Sequence, residues 1–242
     1  MTINYLDSKR IQGLSTDTKP TSTTVQTDSI FTETDTGKRS WSSNGWATFS
    51  DDFSTNKFTY SGTRFSYNSA SARMDFNITA SSGTDRAYIA IPAFGSTSWY
   101  LDYTITQTSS GGSGNTGGIG VYCASTNDAF SGNYYGTEQA RDTSIYTYTS
   151  SNAEFLDASY SWTTTTYYFR MTVNASTKTT VHKAYSSSAN RTSNTSALFT
   201  ATKTPATNAT NLAFLVINSS RPTNGYTITG YVKDISLYEG VP

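Results

Sequence analysis

The chain has 242 residues, enough for one large β-domain with an appendage or for two modest domains. Charged residues make up only 14% and balance to a formal net charge of zero, which excludes nucleic-acid binding of the kind driven by surplus Lys and Arg. Apolar residues are 35%, but rings are 14% and Ser plus Thr about a third, a mixture that suits half-buried pleated surface and not a disordered polar chain.

Residues 1–47 differ from the rest. A short start, INYLDSKRIQGL, runs into the linker STDTKPTSTTVQTDS, which is polar, carries Pro20 and has no period. The stretch FTETDTGKRSWSSNGW follows, Phe31 to Trp46, with turn signals at Asp35-Thr36-Gly37 and Asn44-Gly45. It predicts a miniature β-meander, too small to hold itself together in water. The N-terminus MTINYLDSKRIQG lacks the apolar core of a signal peptide, and no stretch approaches the ~20 apolar residues of a membrane span. A surface-type composition without a Sec-type route out of the cell fits a virion protein released by lysis. A mature fragment whose signal has been removed fits as well.

From Thr48 onward, segments of period two recur. In ARMDFNI, Ala72, Met74, Phe76 and Ile78 share one face and Arg73, Asp75 and Asn77 the other. In WYLDYTIT, Trp99, Leu101, Tyr103 and Ile105 oppose Asp102, Thr104 and Thr106. The glycine-rich run SSGGSGNTGG, residues 109–118, reads as a long flexible hairpin loop; with no parallel strand before it and no helix after it, it does not cradle phosphate. In YYFRMTVN, Tyr167, Phe169, Met171 and Val173 oppose Arg170, Thr172 and Asn174. TVNASTKTTVHKAY predicts a hairpin turning near Ser176, and NLAFLVIN, residues 211–218, is apolar on both faces, as a central strand would be. No window offers an amphipathic helix with caps. The expected fold is all-β, a two-sheet antiparallel sandwich with residues 1–47 as an N-terminal arm and 48–242 as the main domain.

Candidate chemistry is sparse. The single cysteine, Cys123, lies in the apolar run GIGVYC, so no intramolecular disulfide forms and the thiol is expected to be buried and inert. The single histidine, His182, has no Cys or Glu near it in TTVHKAY and is expected to face solvent. Only four glutamates occur, Glu33, Glu138, Glu154 and Glu239, with no spacing that pairs two of them for glycoside hydrolysis. Catalysis is not expected. The loop TNDAFSGNYYGTEQARD, residues 126–142, combines hydrogen-bonding Asp128 and Asn133 with the rings of Tyr134 and Tyr135, and Trp162 in ASYSWTTTT adds another ring. These are the glycan-contact candidates; a loop simply held by its own tyrosines is the alternative. In the arm, Phe31, Trp41 and Trp46 are candidate assembly contacts, or else pack on their own domain.

Two stretches carry family resemblances. The opening ATFSDDFSTNKFTYSGTRFSYNSASARMDF and the closing ITGYVKDISLYEG, with Val232, Ile235, Leu237 and Tyr238 in apolar positions, resemble the first and last strands of concanavalin A-like (laminin-G-like) jelly rolls. That resemblance implies pairing of the first and last strands, bringing Phe53 near Leu237, and sugar sites in end loops or on the concave sheet. It also implies that calcium is a conceivable cofactor at Asp128 or Asp157, although no spacing here resembles an EF-hand. Separately, DSIFTETDTGKRSWSSNGW is similar to a short element of phage and other viral fibre proteins. Together they imply a virion surface protein, fibre, decoration or capsid-associated, whose partners are copies of itself, other virion proteins and host-surface glycans. A secreted, non-catalytic carbohydrate-binding module of a microbe is the rival reading, and a purely structural subunit remains open beside both.

Overall fold

The computed structural model describes residues 4–5, 10–13, 29–33, 39–42, 47–78, 84–111, 118–128, 132–140, 144–149, 154–159, 165–204, 210–219 and 227–239. Near the N-terminus, β1 (Asn4–Tyr5), β2 (Arg10–Gly13), β3 (Ser29–Glu33) and β4 (Arg39–Ser42) form a four-stranded sheet in that order. β1–β2 and β3–β4 are antiparallel, but β2 and β3 run parallel. Of the expected meander, Phe31 to Trp46, the described residues are 31–33 and 39–42. β3 and β4 make the hairpin, whereas the next strand, β5 (Ala47–Asp51), pairs with a strand of the main body instead of with β4. A two-residue-wide turn signal fixes a reversal of the chain, not the strand that the chain meets afterwards. The linker at 15–29 falls outside the described residues except for Ser29, the first residue of β3.

The main body is a pair of antiparallel sheets. The first holds eight strands: β7 (Phe65–Asn68), β8 (Arg73–Ile78), β10 (Trp99–Gly111), β15 (Thr166–Val173), β16 (Thr180–Tyr185), β17 (Phe199–Lys203) and β19 (Thr227–Glu239), with β5 at the side of β19. Their order is β17-β16-β15-β10-β19-β8-β7. The second holds seven, ordered β14-β13-β12-β11-β18-β9-β6: β6 (Thr59–Ser61), β9 (Arg86–Phe94), β11 (Gly118–Ala124), β12 (Tyr134–Ala140), β13 (Ser144–Thr149), β14 (Glu154–Ser159) and β18 (Leu212–Ser219). β19 is long enough to serve two partners on one side, β8 along Ile228–Val232 and β5 along Ile235–Tyr238. The first and last strands of the sandwich do pair. The residue opposite Leu237 is Phe49, while Phe53 lies just beyond the strand.

The core is what the period-two reading predicts. Met74, Phe76, Ile78, Trp99, Leu101, Ile105, Phe169, Met171 and Val173 are all buried between the sheets, meeting Val121, Cys123, Leu215 and Ile217 from the other side. β18 is the central strand expected of NLAFLVIN, flanked by β11 and β9, and β15–β16 is the expected hairpin. Cys123 is fully buried, and burial pushes its thiol far above the usual range.

Two expectations about these strands and their connections fail. SSGGSGNTGG is no hairpin loop: β10 ends in the eight-stranded sheet at Gly111 and β11 starts in the seven-stranded sheet at Gly118, so the connection crosses between the sheets. His182 does not face solvent. It is buried at the sheet interface, where Nε2 lies 3.1 Å from the Thr137 hydroxyl on β12. Desolvation lowers its pKa to about 3, so the ring is neutral and bridges the two sheets. The sequence gives no sign of this because Thr137 is 45 residues away. A helix also forms: α1 (Ser188–Ser193), capped by the Ser187 side chain, which accepts from the Asn190 N–H, and ended by Asn194 in the left-handed region. At six residues it is too short to show a period.

Candidate ligand-binding face

In the seven-stranded sheet, alternation sends Ala87, Val121, Cys123, Tyr135, Leu215 and Ile217 into the sandwich. Their neighbours point the other way. Tyr122, Ala124, Tyr134 and Val216 form a second apolar cluster on the outer face, with Tyr88 and Phe214 packed against it and only half-buried. The Tyr88 and Phe214 rings meet edge to face at 6.5 Å, and Tyr122 meets Tyr134 in the same manner at 6.5 Å. Glycine makes this face possible. A Cβ at Gly136 or Gly120 would come within 1.9 and 2.3 Å of the Tyr122 ring, so the ring lies over backbone that only glycine can provide.

Beside the rings sits a polar group of residues. Asp128, in the connection after β11, forms an ion pair at 2.9 Å with Arg86, the first residue of β9 and the outward neighbour of Tyr88. Both side chains keep solvent access, 46% for Asp128 and 30% for Arg86. The Asp128 N–H donates to the Thr126 hydroxyl at 3.3 Å. Asn133 is exposed; its N–H donates to the Ser125 hydroxyl at 3.0 Å, and its amide reaches the Thr210 carbonyl at 3.4 Å. Gly132 adopts φ +80, and a Cβ there would strike the Ser125 hydroxyl. Behind Arg86, the Asp85 carboxylate accepts the Thr63 and Arg64 N–H groups at 2.6 and 3.0 Å. Ser219 Oγ accepts from the Asp85 N–H at 2.8 Å and from Arg64 at 3.0 Å, a buried knot that fixes where β9 begins.

Asp128 and Asn133 thus belong to one loop, as expected, and both remain accessible. Tyr134 and Tyr135 do not offer their rings. They are 1% and 0% exposed and point to opposite faces, Tyr134 onto Tyr122 and Tyr135 into the core against Trp99 at 5.8 Å. The loop is shorter than the sequence suggests, because Tyr134 already pairs with Ala124 as the first residue of β12, and consecutive strand residues must diverge. Trp162 and Trp46 lie outside the described residues, and Phe31 and Trp41 are placed only by register, opposite Ser40 and Ile30. Sequence reasoning missed Arg86, Tyr88 and Phe214. The signal was present in Phe214, a large ring on the second face of a strand that is apolar on both.

Two other chemistries find little footing. In the backbone register Glu138 on β12 and Glu154 on β14 lie on either side of β13 and two residues out of step, Glu138 opposite Tyr146 and Glu154 opposite Tyr148. Among the described residues no three His, Cys, Asp or Glu side chains come together. Asp128 is paired with Arg86, and the Asp157 side chain lies outside the described residues.

No family model matches the chain, and no curated protein matches it in sequence. Solved structures do. Lectin I-B4 from Griffonia simplicifolia, in its metal-free form, superposes with a TM-score of 0.53 at 11% identity, covering 76% of this chain and 94% of the lectin. A lectin from Bauhinia forficata in complex with GalNAc gives 0.53 at 10% identity over 79% and 97%. A sialidase gives 0.53 at 8% identity, but the chain spans only 22% of that enzyme. These similarities concern the fold, and the fold is that of the legume lectins: an all-β, concanavalin A-like jelly roll of two antiparallel sheets.

Proposed function

We propose that this protein is a non-catalytic, lectin-like binding protein. The outer face of its seven-stranded sheet contacts neutral or mixed glycans through Tyr88, Phe214, Asp128 and Asn133. The observation that carries the reading is the pair of half-buried rings, Tyr88 and Phe214, next to a solvent-accessible Asp128–Arg86 pair. Sugars are bound by such mixtures: a ring packs on the apolar face of a pyranose, and fixed donors and acceptors read its hydroxyls. The lectin-type sandwich supports the reading, since the Bauhinia lectin with the same fold is bound to GalNAc.

For its setting, the proposal is a virion surface protein whose residues 1–47 dock to the particle and whose residues 48–242 face the host. The likeness of DSIFTETDTGKRSWSSNGW to viral fibre elements supports this, and a genome neighbourhood of cellular secretion genes instead of capsid and tail genes would replace it with the secreted binding module. The test of binding is a glycan array with the full chain, followed by titration of the best ligand. Tyr88→Ala or Phe214→Ala should weaken binding at least tenfold with the fold intact by circular dichroism, whereas Thr229→Ala, on the other sheet, should not. A silent array, or release of reducing sugar from any polysaccharide, overturns the reading.

A further inference from the structure

Strand β5 is held in the sandwich by a single strand pairing. It hydrogen-bonds to β19 alone among the described strands, through the positions Asp51–Ile235, Ser50–Ser236, Phe49–Leu237 and Ala47–Tyr238, with a register shift between the last two. Immediately after it the chain must turn within residues 52–57 to reach the buried Phe58, and there Phe53 is forced to φ +57. A left-handed conformation is costly for any residue with a Cβ and exceptional for a bulky aromatic, and no glycine is provided. Directly before the turn, Asp51 is buried; one carboxylate oxygen accepts the Phe53 N–H at 2.8 Å and Lys57 at 3.2 Å, and the other has no hydrogen-bond partner. A left-handed aromatic residue and a buried carboxylate with one oxygen lacking a hydrogen bond thus lie two residues apart at the start of one short connection.

We propose that this connection is a hinge and that the N-terminal segment up to β5 exchanges between copies of the chain, seating β5 of one molecule on β19 of another. Extending six residues spans about 20 Å. It returns Phe53 to an allowed region and carries β5 to a neighbour, where every β5–β19 contact is formed again with the same partners. Besides the hinge backbone, the contacts made across it change, the Phe53–Phe58 stack at 5.5 Å and the Asp51–Lys57 pair at 3.2 Å. The balance between monomer and exchanged dimer therefore sets relief of strain in the hinge against remaking those contacts between molecules. β5 is joined upstream to the small sheet of β1–β4, so exchange would tie that sheet to a second molecule. This gives the assembly role proposed for the arm a mechanism, and it does not depend on sugar binding.

Ser50 and Ser236 provide the test, because they face each other across the pairing with hydroxyls 3.1 Å apart. The single variants Ser50→Cys and Ser236→Cys of the full chain are refolded together, oxidised and run on a non-reducing gel, with the double variant as a check that the geometry allows the bond. Native Cys123 is fully buried and does not interfere. The expected result is a covalent dimer containing one copy of each single variant, absent when either is oxidised alone, together with a dimer peak in sedimentation of the unmodified chain. Cross-linking confined to single molecules of the double variant overturns the proposal, as does sedimentation of the unmodified chain as a monomer at every concentration. Glycan titration of the same samples reads the sugar-binding proposal separately, so one can fail without the other.

Discussion

The outer faces of the two sheets are built from similar residues and do different things with them. On the eight-stranded sheet, Asp102 is gripped by Arg170 through two bonds of 2.7 Å and approached by Arg191 of α1 at 3.5 Å, with all three side chains at most 12% exposed. Arg170 lies over the Tyr100 ring at 4.4 Å, Tyr100 stacks on Tyr238 at 4.5 Å, and Arg191 donates to the Tyr103 carbonyl at 3.0 Å beside the irregularity in the β10–β19 pairing. The residues that alternation sets opposite the apolar face of β10, Asp102, Thr104 and Thr106, are buried as well. The charges are consumed internally. On the seven-stranded sheet the corresponding ion pair, Arg86–Asp128, stays open to water beside half-buried rings. Arginine, aspartate and tyrosine together do not mark a site; the difference lies in whether their polar atoms have partners within the fold or still reach solvent.

The sharpest way to break this comparison is Asp102→Ala. It leaves two poorly solvated guanidinium groups facing each other and should cost about 3–5 kcal/mol in urea unfolding, while glycan titration of the folded fraction stays unchanged. A binding loss larger than the stability loss explains would show that the eight-stranded face is a site after all. Next in size is pH. The His182 pKa is depressed in the fold, to about 3, and ordinary near 6.5 when unfolded, so between these values the unfolded chain holds a proton that the native chain lacks. Stability is full above pH 6.5 and falls as pH drops toward 3, by about 1.4 kcal/mol per unit, and His182→Gln should flatten that slope in denaturation curves taken across the window. Gly136→Ala comes third. Its methyl would occupy the place of the Tyr122 ring, so about 1–3 kcal/mol of stability should be lost and the buried cluster under Tyr88 and Phe214 displaced, which on the proposed function weakens glycan binding beyond the stability change. Asp128→Asn is the smallest. An exposed pair contributes under ~1 kcal/mol, so the thermal midpoint should barely move, while glycan affinity should fall.

Alternation of side chains was sufficient to specify strands, their buried faces and the sandwich itself: β8, β10 and β15 bury the residues that their patterns select, and the pairing of β5 with β19 follows the resemblance of the two chain ends. Period two divides a strand into two faces, because successive Cβ atoms point opposite ways. It does not reveal what lies across either face. That a helix closes over Asp102, that Thr137 meets His182 from the opposite sheet, that Tyr134 and Tyr135 both sink while Tyr88 and Phe214 stay near the surface, and that residues 109–118 cross between sheets are outcomes of contacts between distant segments. Local sequence determines the periodicity of a strand; burial of each face is set by whichever remote segment packs upon it, and only the folded chain decides that.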